Sequence, residues 1–422
     1  MQQSNKISSF QSWSVLAAAT GVNVSMGLNY SWSVIQKSLI TEWQWTSLEA
    51  SLPYTIYAIM ISLAMLVGGR LQDKAGPRLS INLGAILMGT GLISCSFSHS
   101  PLLTAFAYSI AGIGAGICYA TTMPTVIKWF SPEKKGLVTG IVVSGSGLAP
   151  IYVSLIANWL LGHYGISKTF LTLGIGMSSS LLFMSLFMKN PPAGYIPPST
   201  VASASQQSTD TINQSTKDMH WREMIRTPTF YKLWFMYFFV SSAGLMIIGH
   251  ITNIAKKQAN WENGFYLVVL VALFNTLGRM AAGFFSDRYG RIAIMKGIFL
   301  LLTINLILFA HYSTPVLLAV GTGIIGFCYG TCPALFPLTI ADFYGTKNLG
   351  ANYGVLFTAW GSAALLGPLI AGLAVDMTGT YLIAYGISAV LLFGAFLLSM
   401  SIKEQNKEGV ITGEVALDNS QS

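Results

Sequence analysis

The chain has 422 residues, of which 53% are hydrophobic and only 9% charged, with a formal charge of +8. A soluble chain carries roughly a quarter of its residues as charge, so this composition, with a mean hydropathy of +0.58, excludes a water-soluble globular protein. The basic excess would suit nucleic acid or an anionic surface, but Lys and Arg fall in short connections between apolar stretches, which argues for a lipid bilayer as the partner and against nucleic acid.

Residues 1–12 are polar and carry only Lys6. The apolar stretch that follows outruns a signal-peptide core and contains no small-residue cleavage site, so an uncleaved first span is expected. Stretches of about 20 apolar residues predict twelve spans, at 13–36, 47–69, 79–98, 102–129, 136–161, 167–188, 229–252, 263–286, 292–311, 314–341, 350–374 and 380–401. The only long polar connection, 190–227, has a core (199–218) rich in Ser, Thr and Gln and reads as a flexible linker. The expected organisation is an all-α membrane protein: a six-helix bundle over 1–189, a linker over 190–227, a second six-helix bundle over 228–401 and a tail over 402–422. Cys95, Cys118, Cys328 and Cys332 all lie inside apolar segments, which suits buried thiols and neither a disulfide framework nor a zinc site. No metal and no cofactor is expected.

Lys and Arg divide unequally between the two sides of this topology. The tails, the linker and the connections after even-numbered spans hold Arg70, Lys74, Arg78, Lys134, Lys135, Arg222, Arg226, Arg288 and Arg291 among others. The opposite side holds only Lys37, Lys168, Lys256 and Lys257. The positive-inside rule then predicts both termini and the linker in the cytoplasm, in a plasma (cell inner) membrane.

The two halves repeat. The connection after the second span reads Gly69-Arg-Leu-Gln-Asp73-Lys74-Ala-Gly76-Pro-Arg78, and the one after the eighth reads Gly283-Phe-Phe-Ser-Asp287-Arg288-Tyr-Gly290-Arg291. Both fit G-x3-D-[KR]-x-G, 214 residues apart. Gly136 and Gly140 recur at the same offset as Gly350 and Gly354, and Gly116-Ile-Cys-Tyr119-Ala-Thr recurs as Gly326-Phe-Cys-Tyr329-Gly-Thr. Offsets of 214 residues at two landmarks and 210 at the third imply duplicated halves, hence twelve helices in two pseudo-symmetric six-helix bundles. In each turn the glycine supplies a positive φ, and the Asp can cap a helix start or pair with a basic neighbour.

On these residues the sequence resembles the major facilitator superfamily over its whole length. More narrowly it resembles the oxalate/formate antiporter and bacterial monocarboxylate transporter branch. That narrower likeness rests on Leu28-Asn29-Tyr30-Ser-Trp32 in the first span, Arg226-Thr-Pro-Thr-Phe230 before the seventh and Asn275-Thr-Leu-Gly-Arg279 in the eighth. Ala334-Leu-Phe-Pro337 in the tenth and Asn352-Tyr353-Gly354 opening the eleventh add to it. The resemblance implies a monomeric secondary transporter that is not an enzyme, moving a small organic anion, with or without protons, by alternating access.

Arg279 is the leading candidate ligand. It falls well inside the apolar band, where an arginine costs about 2.5–3.5 kcal/mol on insertion scales and normally faces a cavity or a counter-ion. The predicted span interiors contain no Asp or Glu: Glu49 and Asp342 sit near span ends, and Asp73 and Asp287 belong to the turns. The missing partner is then a substrate carboxylate, held by two parallel charge-assisted hydrogen bonds. The rival reading has Arg279 snorkelling toward the cytoplasm or bracing the Asp287 turn. The resemblance implies the first role, since the matching arginine of the branch binds the substrate carboxylate. Asn275, one helical turn before it, can orient the guanidinium or bond the substrate. Some animal monocarboxylate carriers resemble this stretch but have an Asp there, whereas Asn cannot titrate.

Tyr119 and Tyr329 occupy equivalent places in spans four and ten, as anion-binding hydroxyls or as packing against small-residue faces. Asn29 and Tyr30, with Leu28, match the polar-aromatic wall of the branch, or bond between helices. His250, near the outer end of span seven, can carry a proton or serve as an interfacial histidine. Trp360 stands where the branch's oxalate exchangers carry a second cation, a lysine. One cation beside an indole suits a monoanion with a small apolar body: lactate, pyruvate, formate or acetate before oxalate.

An oxalate/formate-type dicarboxylate exchanger is the alternative cargo, and a drug or metabolite exporter of the same superfamily is the alternative function. An enzyme lacks any nucleophile-base-orienter set, since Ser144-Gly-Ser-Gly147 lies within span five and reads as close packing. A channel would need rings of like polar groups, and a sensor would bind without transporting.

Overall fold

The computed structural model describes residues 2–147, 149–192, 195 and 218–402, and within these the side chains of 2–9, 28–31, 33, 47, 132 and 150 fall outside the description. Most of the expected linker, and the tail beyond 402, lie outside the described residues. Every regular element among the described residues is helical. The first span is two helices, α1 (Gln2–Ser25) and α2 (Leu28–Glu42), broken at Gly27. Then come α3 (Ser47–Ala75), α4 (Pro77–Cys95), α5 (Pro101–Ile127), a short 3-10 turn, α6 (Lys135–Gly147) and α7 (Ala149–Ser185). The second half holds a short α8 (Trp221–Met224), followed by α9 (Pro228–Ala259), α10 (Phe265–Tyr289), α11 (Arg291–Phe309), α12 (Pro315–Tyr344), α13 (Leu349–Thr378) and α14 (Leu382–Met400).

Ten helical runs among the described residues are long and apolar enough to cross a bilayer, and one of them, Lys135–Ser185, is 51 residues long. At 1.5 Å per residue such a run would extend about 75 Å, more than twice the hydrocarbon thickness. It is two crossings: Gly165 inside α7 has φ 74° and ψ 179°, outside helical space. With the α1–α2 pair, the crossings number twelve, in two six-helix bundles.

The start of α3 disposes of one acid. Thr46 accepts from the Glu49 amide at 3.3 Å while Glu49 accepts from the Thr46 amide at 2.8 Å, a reciprocal capping box. Glu49 is therefore a helix cap and lies far along α3 from the turn motif.

The halves reproduce each other's geometry. Gly76 ends α3 at φ 85° and Gly290 ends α10 at φ 90°, a backbone state that side-chain-bearing residues resist. Proline or arginine then starts the next helix directly. Within the N-terminal half, Gly116 of α5 packs over the Ile61 carbonyl of α3. Within the C-terminal half, Gly326 of α12 packs over the Val271 carbonyl of α10. Both pairs are related by the same 210-residue offset as the tyrosines.

Two seams join the halves. On one, α3 meets α13, where a Cβ at Gly69 would strike the Gly350 carbonyl and one at Gly354 the Met65 carbonyl. On the other, α6 meets α10, where a Cβ at Gly136 would strike Gly283 and one at Gly140 would sit 2.7 Å from the Arg279 carbonyl. Small residues let the backbones approach this closely. The seams run from the turn-motif end past the depth of Arg279, to Gly147 over Thr276 on one side and Gly361 over Ser62 on the other.

Candidate functional site

Between the two seams, a cavity of about 70 Å³ lies between the halves. Its N-terminal wall includes Asn23, Tyr119, Thr122 and Ser146, and its C-terminal wall includes Arg279, Tyr329, Phe357 and Trp360. No acidic side chain lines it among the described residues.

Arg279 is 4% exposed, and none of the ion pairs among the described residues includes it. Neutral acceptors surround it instead. Its Nε donates to Asn275 Oδ1 at 2.8 Å, across one turn of α10. Its Nη1 donates to Ser146 Oγ at 2.6 Å and to the Val143 carbonyl, both on α6 of the other half. The Ser146 hydroxyl proton is itself committed to the Val143 carbonyl at 3.0 Å, which leaves its lone pairs toward the guanidinium. These bonds hold the guanidinium at the cavity wall, and Nη2 is left with no hydrogen-bond partner among the described residues. The Asp287 turn does not use Arg279, because Asp287 pairs with Arg291 at 2.7 Å.

An aromatic wall faces the cation. Trp360 Nε1 donates to Tyr329 Oη at 2.9 Å, and Phe357 stacks on Trp360 with centroids 5.0 Å apart. Opposite, Asn23 Nδ2 donates to Thr122 Oγ1 at 3.1 Å and to the Ala19 carbonyl at 3.0 Å, fixing α1 to α5 beside Tyr119. A cavity with one guanidinium, several hydroxyls and an indole face can accept a small anion with an apolar flank.

At the turn-motif end each motif Asp caps a helix of the opposite half. Asp287 accepts from the Gly136 and Leu137 amides, both at 3.1 Å, in the first turn of α6. Asp73 accepts from the Ala351 amide at 3.0 Å, in the first turn of α13, and pairs with Lys128 at 3.5 Å. Carboxylates at helix N-termini satisfy orphan amides and meet the positive end of the helix dipole. The two clasps close this end.

The family model described as the Major Facilitator Superfamily matches residues 16–368 and, again, 247–416. This chain belongs to the major facilitator superfamily. It is therefore a multi-pass membrane transporter and not an enzyme. The oxalate:formate antiporter of Oxalobacter formigenes is 27% identical over 382 residues, 88% of this chain and 87% of that protein. Monocarboxylate transporter 12 of Xenopus laevis is 25% identical over 361 residues, 79% of this chain and 76% of that protein. Among solved structures, the superfamily's proton:xylose symporter XylE superposes with a TM-score of 0.73 at 13% identity, covering 93% of this chain and 96% of that one. That likeness shows the fold alone.

On this superfamily scaffold the sequence-predicted residues separate into groups. The structure brings Arg279, Tyr119, Tyr329 and Trp360 to one cavity, with Asn275 behind the guanidinium. The side chains of Leu28, Asn29 and Tyr30 lie outside the described residues. His250 is elsewhere: its Nε2 lies 3.2 Å from the Pro368 carbonyl and its Nδ1 3.5 Å from Tyr381 Oη, between α9, α13 and α14 and off the cavity lining. In the turn motifs, Gly69, Gly76, Gly283 and Gly290 make the close approaches and reversals, and Asp73 and Asp287 the clasps. Arg78 and Arg288 are exposed, and the buried cation beside Asp287 is Arg291, which also reaches Asp342 at 3.2 Å.

Sequence reasoning missed Asn23, Thr122 and Ser146. Ser146 belongs to the glycine-rich run Ser144-Gly-Ser-Gly147. That run does pack closely, with Gly147 against Thr276 of α10, but the serine between the glycines also carries the bond to Arg279.

Proposed function

We propose that this protein is a secondary active carrier of small monocarboxylates, of the lactate, pyruvate, formate or acetate kind, with Arg279 as the carboxylate ligand. The observation that carries the reading is a guanidinium buried at membrane depth without an acidic partner among the described residues, at the wall of a small cavity. A bound carboxylate supplies the missing charge. The oxalate:formate antiporter and the monocarboxylate transporter among its relatives support an organic anion as cargo. The indole of Trp360, in place of a second cation, supports a monoanion. A cavity of about 70 Å³ also disfavours a drug exporter, since pockets for drug-sized ligands run to about 300–1,000 Å³.

The basic asymmetry of the connections supports both termini, the 190–227 linker and the turn motifs lying in the cytoplasm, with the protein as a plasma-membrane carrier. The Asp73 and Asp287 clasps then shut the cytoplasmic side, and the two bundles (1–189 and 228–401) rock about the Arg279 level to open it. The empty cavity carries one uncompensated positive charge, and the loaded one is near neutral. Reorientation is easier loaded than empty, and this favours anion exchange. Asn275 cannot titrate and His250 lies off the cavity, so proton symport would need the substrate acid to carry the proton.

The test is counterflow in proteoliposomes loaded with lactate, pyruvate, formate, acetate or oxalate, with labelled anion outside. Uptake should require internal monocarboxylate and respond weakly to oxalate. Exchange of oxalate in preference to every monocarboxylate would overturn the cargo assignment, and absence of all carboxylate movement would overturn the reading itself.

A further inference from the structure

Arg279 has five N–H donors in a planar fork, and the structure shows how three of them are used. Nε–H goes to Asn275 Oδ1 on the same helix. Both Nη1 hydrogens go to α6 of the opposite half, one to Ser146 Oγ and one to the Val143 carbonyl. Only Nη2 is left. A carboxylate held by two parallel bonds needs two adjacent nitrogens of the fork, so Nη2 alone can offer only half of that geometry. Full engagement must take a donor from Asn275 or from α6.

These two losses differ in consequence. The Asn275 bond lies within α10, and breaking it changes nothing between the halves. The α6 bonds cross the α6–α10 seam between two close approaches, where a Cβ at Gly140 would meet the Arg279 carbonyl and one at Gly147 would meet Thr276. This seam must part for the Asp287 clasp to release Gly136 and Leu137.

We propose that Ser146, with the Val143 carbonyl, holds Arg279 as a latch between the halves that the bound carboxylate displaces, so that α6 couples occupancy of the site to parting of the seam. This rests on the carboxylate reading of Arg279. In the empty protein the guanidinium bonds both bundles and holds the seam shut. In the loaded protein the anion takes the Nη1–Nη2 edge, α6 loses its hold, and the seam parts with cargo aboard. Ser146 is a positioning residue: it acts through Arg279 and sets the cost of moving empty.

The experiment compares the parent with Ser146→Ala and Ser146→Thr in two readouts. The first is the ratio of net efflux into anion-free buffer to one-for-one exchange. The second uses no substrate: the distance distribution between nitroxides at Glu133→Cys and Arg288→Cys, which flank the seam at its turn-motif end. Ser146→Ala should raise the efflux-to-exchange ratio about 10- to 100-fold, the range for losing one of two hydrogen bonds to a charged donor. It should also add a longer distance in the empty protein, and Ser146→Thr, which keeps the hydroxyl, should behave as the parent. If Ser146→Ala does not fold, Ser146→Cys, a weaker acceptor of similar volume, should give the same shift in reduced size. Parallel loss of efflux and exchange at a constant ratio, with unchanged distances, would overturn the latch and leave Ser146 a packing residue. Should the parent move no carboxylate while Ser146→Ala still lengthens the distance, the cargo has failed and the latch has survived.

Discussion

Replacing Asp287 by Asn probes the clasp that shuts the turn-motif end. Asp287 accepts from the Gly136 and Leu137 amides at 3.1 Å each and pairs with Arg291 at 2.7 Å. Arg291 belongs to the same half as Asp287, so the loss of that ion pair is common to the open and closed states and cancels. What differs is the pair of cross-half bonds to α6, which exist only when the seam is closed. Hydrogen bonds to a charged group contribute about 1.5–3 kcal/mol and neutral ones about 0.5–1.5, so neutralising the acceptor costs the closed state ~2 kcal/mol. At 1.4 kcal/mol per decade, the closed-to-open ratio should fall about 30-fold. The assay is the Glu133→Cys and Arg288→Cys nitroxide pair, and the natural thiols Cys95, Cys118, Cys328 and Cys332 need no replacement because all four are buried. A population with longer distances should appear in Asp287→Asn without any ligand. A folded variant with the parent's distance distribution would refute the reasoning, and the clasp would be a cap with no say in which state is populated.

Two further substitutions address the cavity. Asn275→Asp places a carboxylate where an amide oxygen now lies 2.8 Å from Arg279 Nε. The internal acid should occupy the guanidinium, weaken anion binding at neutral pH and restore it as pH falls and the acid protonates. Binding with the parent's pH profile would contradict that. Trp360→Lys removes the bond to Tyr329 Oη and adds a second cation, so counterflow should gain oxalate and lose preference for monocarboxylates. No gain of oxalate would show that position 360 does not set the charge of the cargo.

Much of this protein can be read from local pattern. Hydropathy and the distribution of Lys and Arg give the crossings, because a bilayer imposes length and charge rules on each segment alone. The two Gly-x3-Asp turns announce the duplication, and the structure repeats their backbone at Gly76 and Gly290. Arg279 stands out because an unpaired cation in an apolar run is costly wherever the fold places it. The remainder is made of contacts between helices distant in sequence. Asp73 and Asp287 do cap helix starts, as their residue type suggests, but the helices belong to the opposite half, 278 and about 150 residues away, and no local spacing encodes that. Ser146 sits in a glycine-rich run whose local signal is close packing, and only the approach of α10 gives its hydroxyl a partner. His250 has the right chemistry for a proton carrier, yet the rotation of α9 turns it to Pro368 and Tyr381.

The most direct measurement is equilibrium binding of lactate, pyruvate, formate and oxalate to the purified protein and to Arg279→Gln, with thermal melting to confirm that both are folded. Losing a bidentate, charge-assisted pair should weaken monocarboxylate binding about 100-fold or more, while Arg279→Lys, which keeps the charge without the planar fork, should fall between the two. A folded Arg279→Gln protein that binds a monocarboxylate as tightly as the parent would contradict the account.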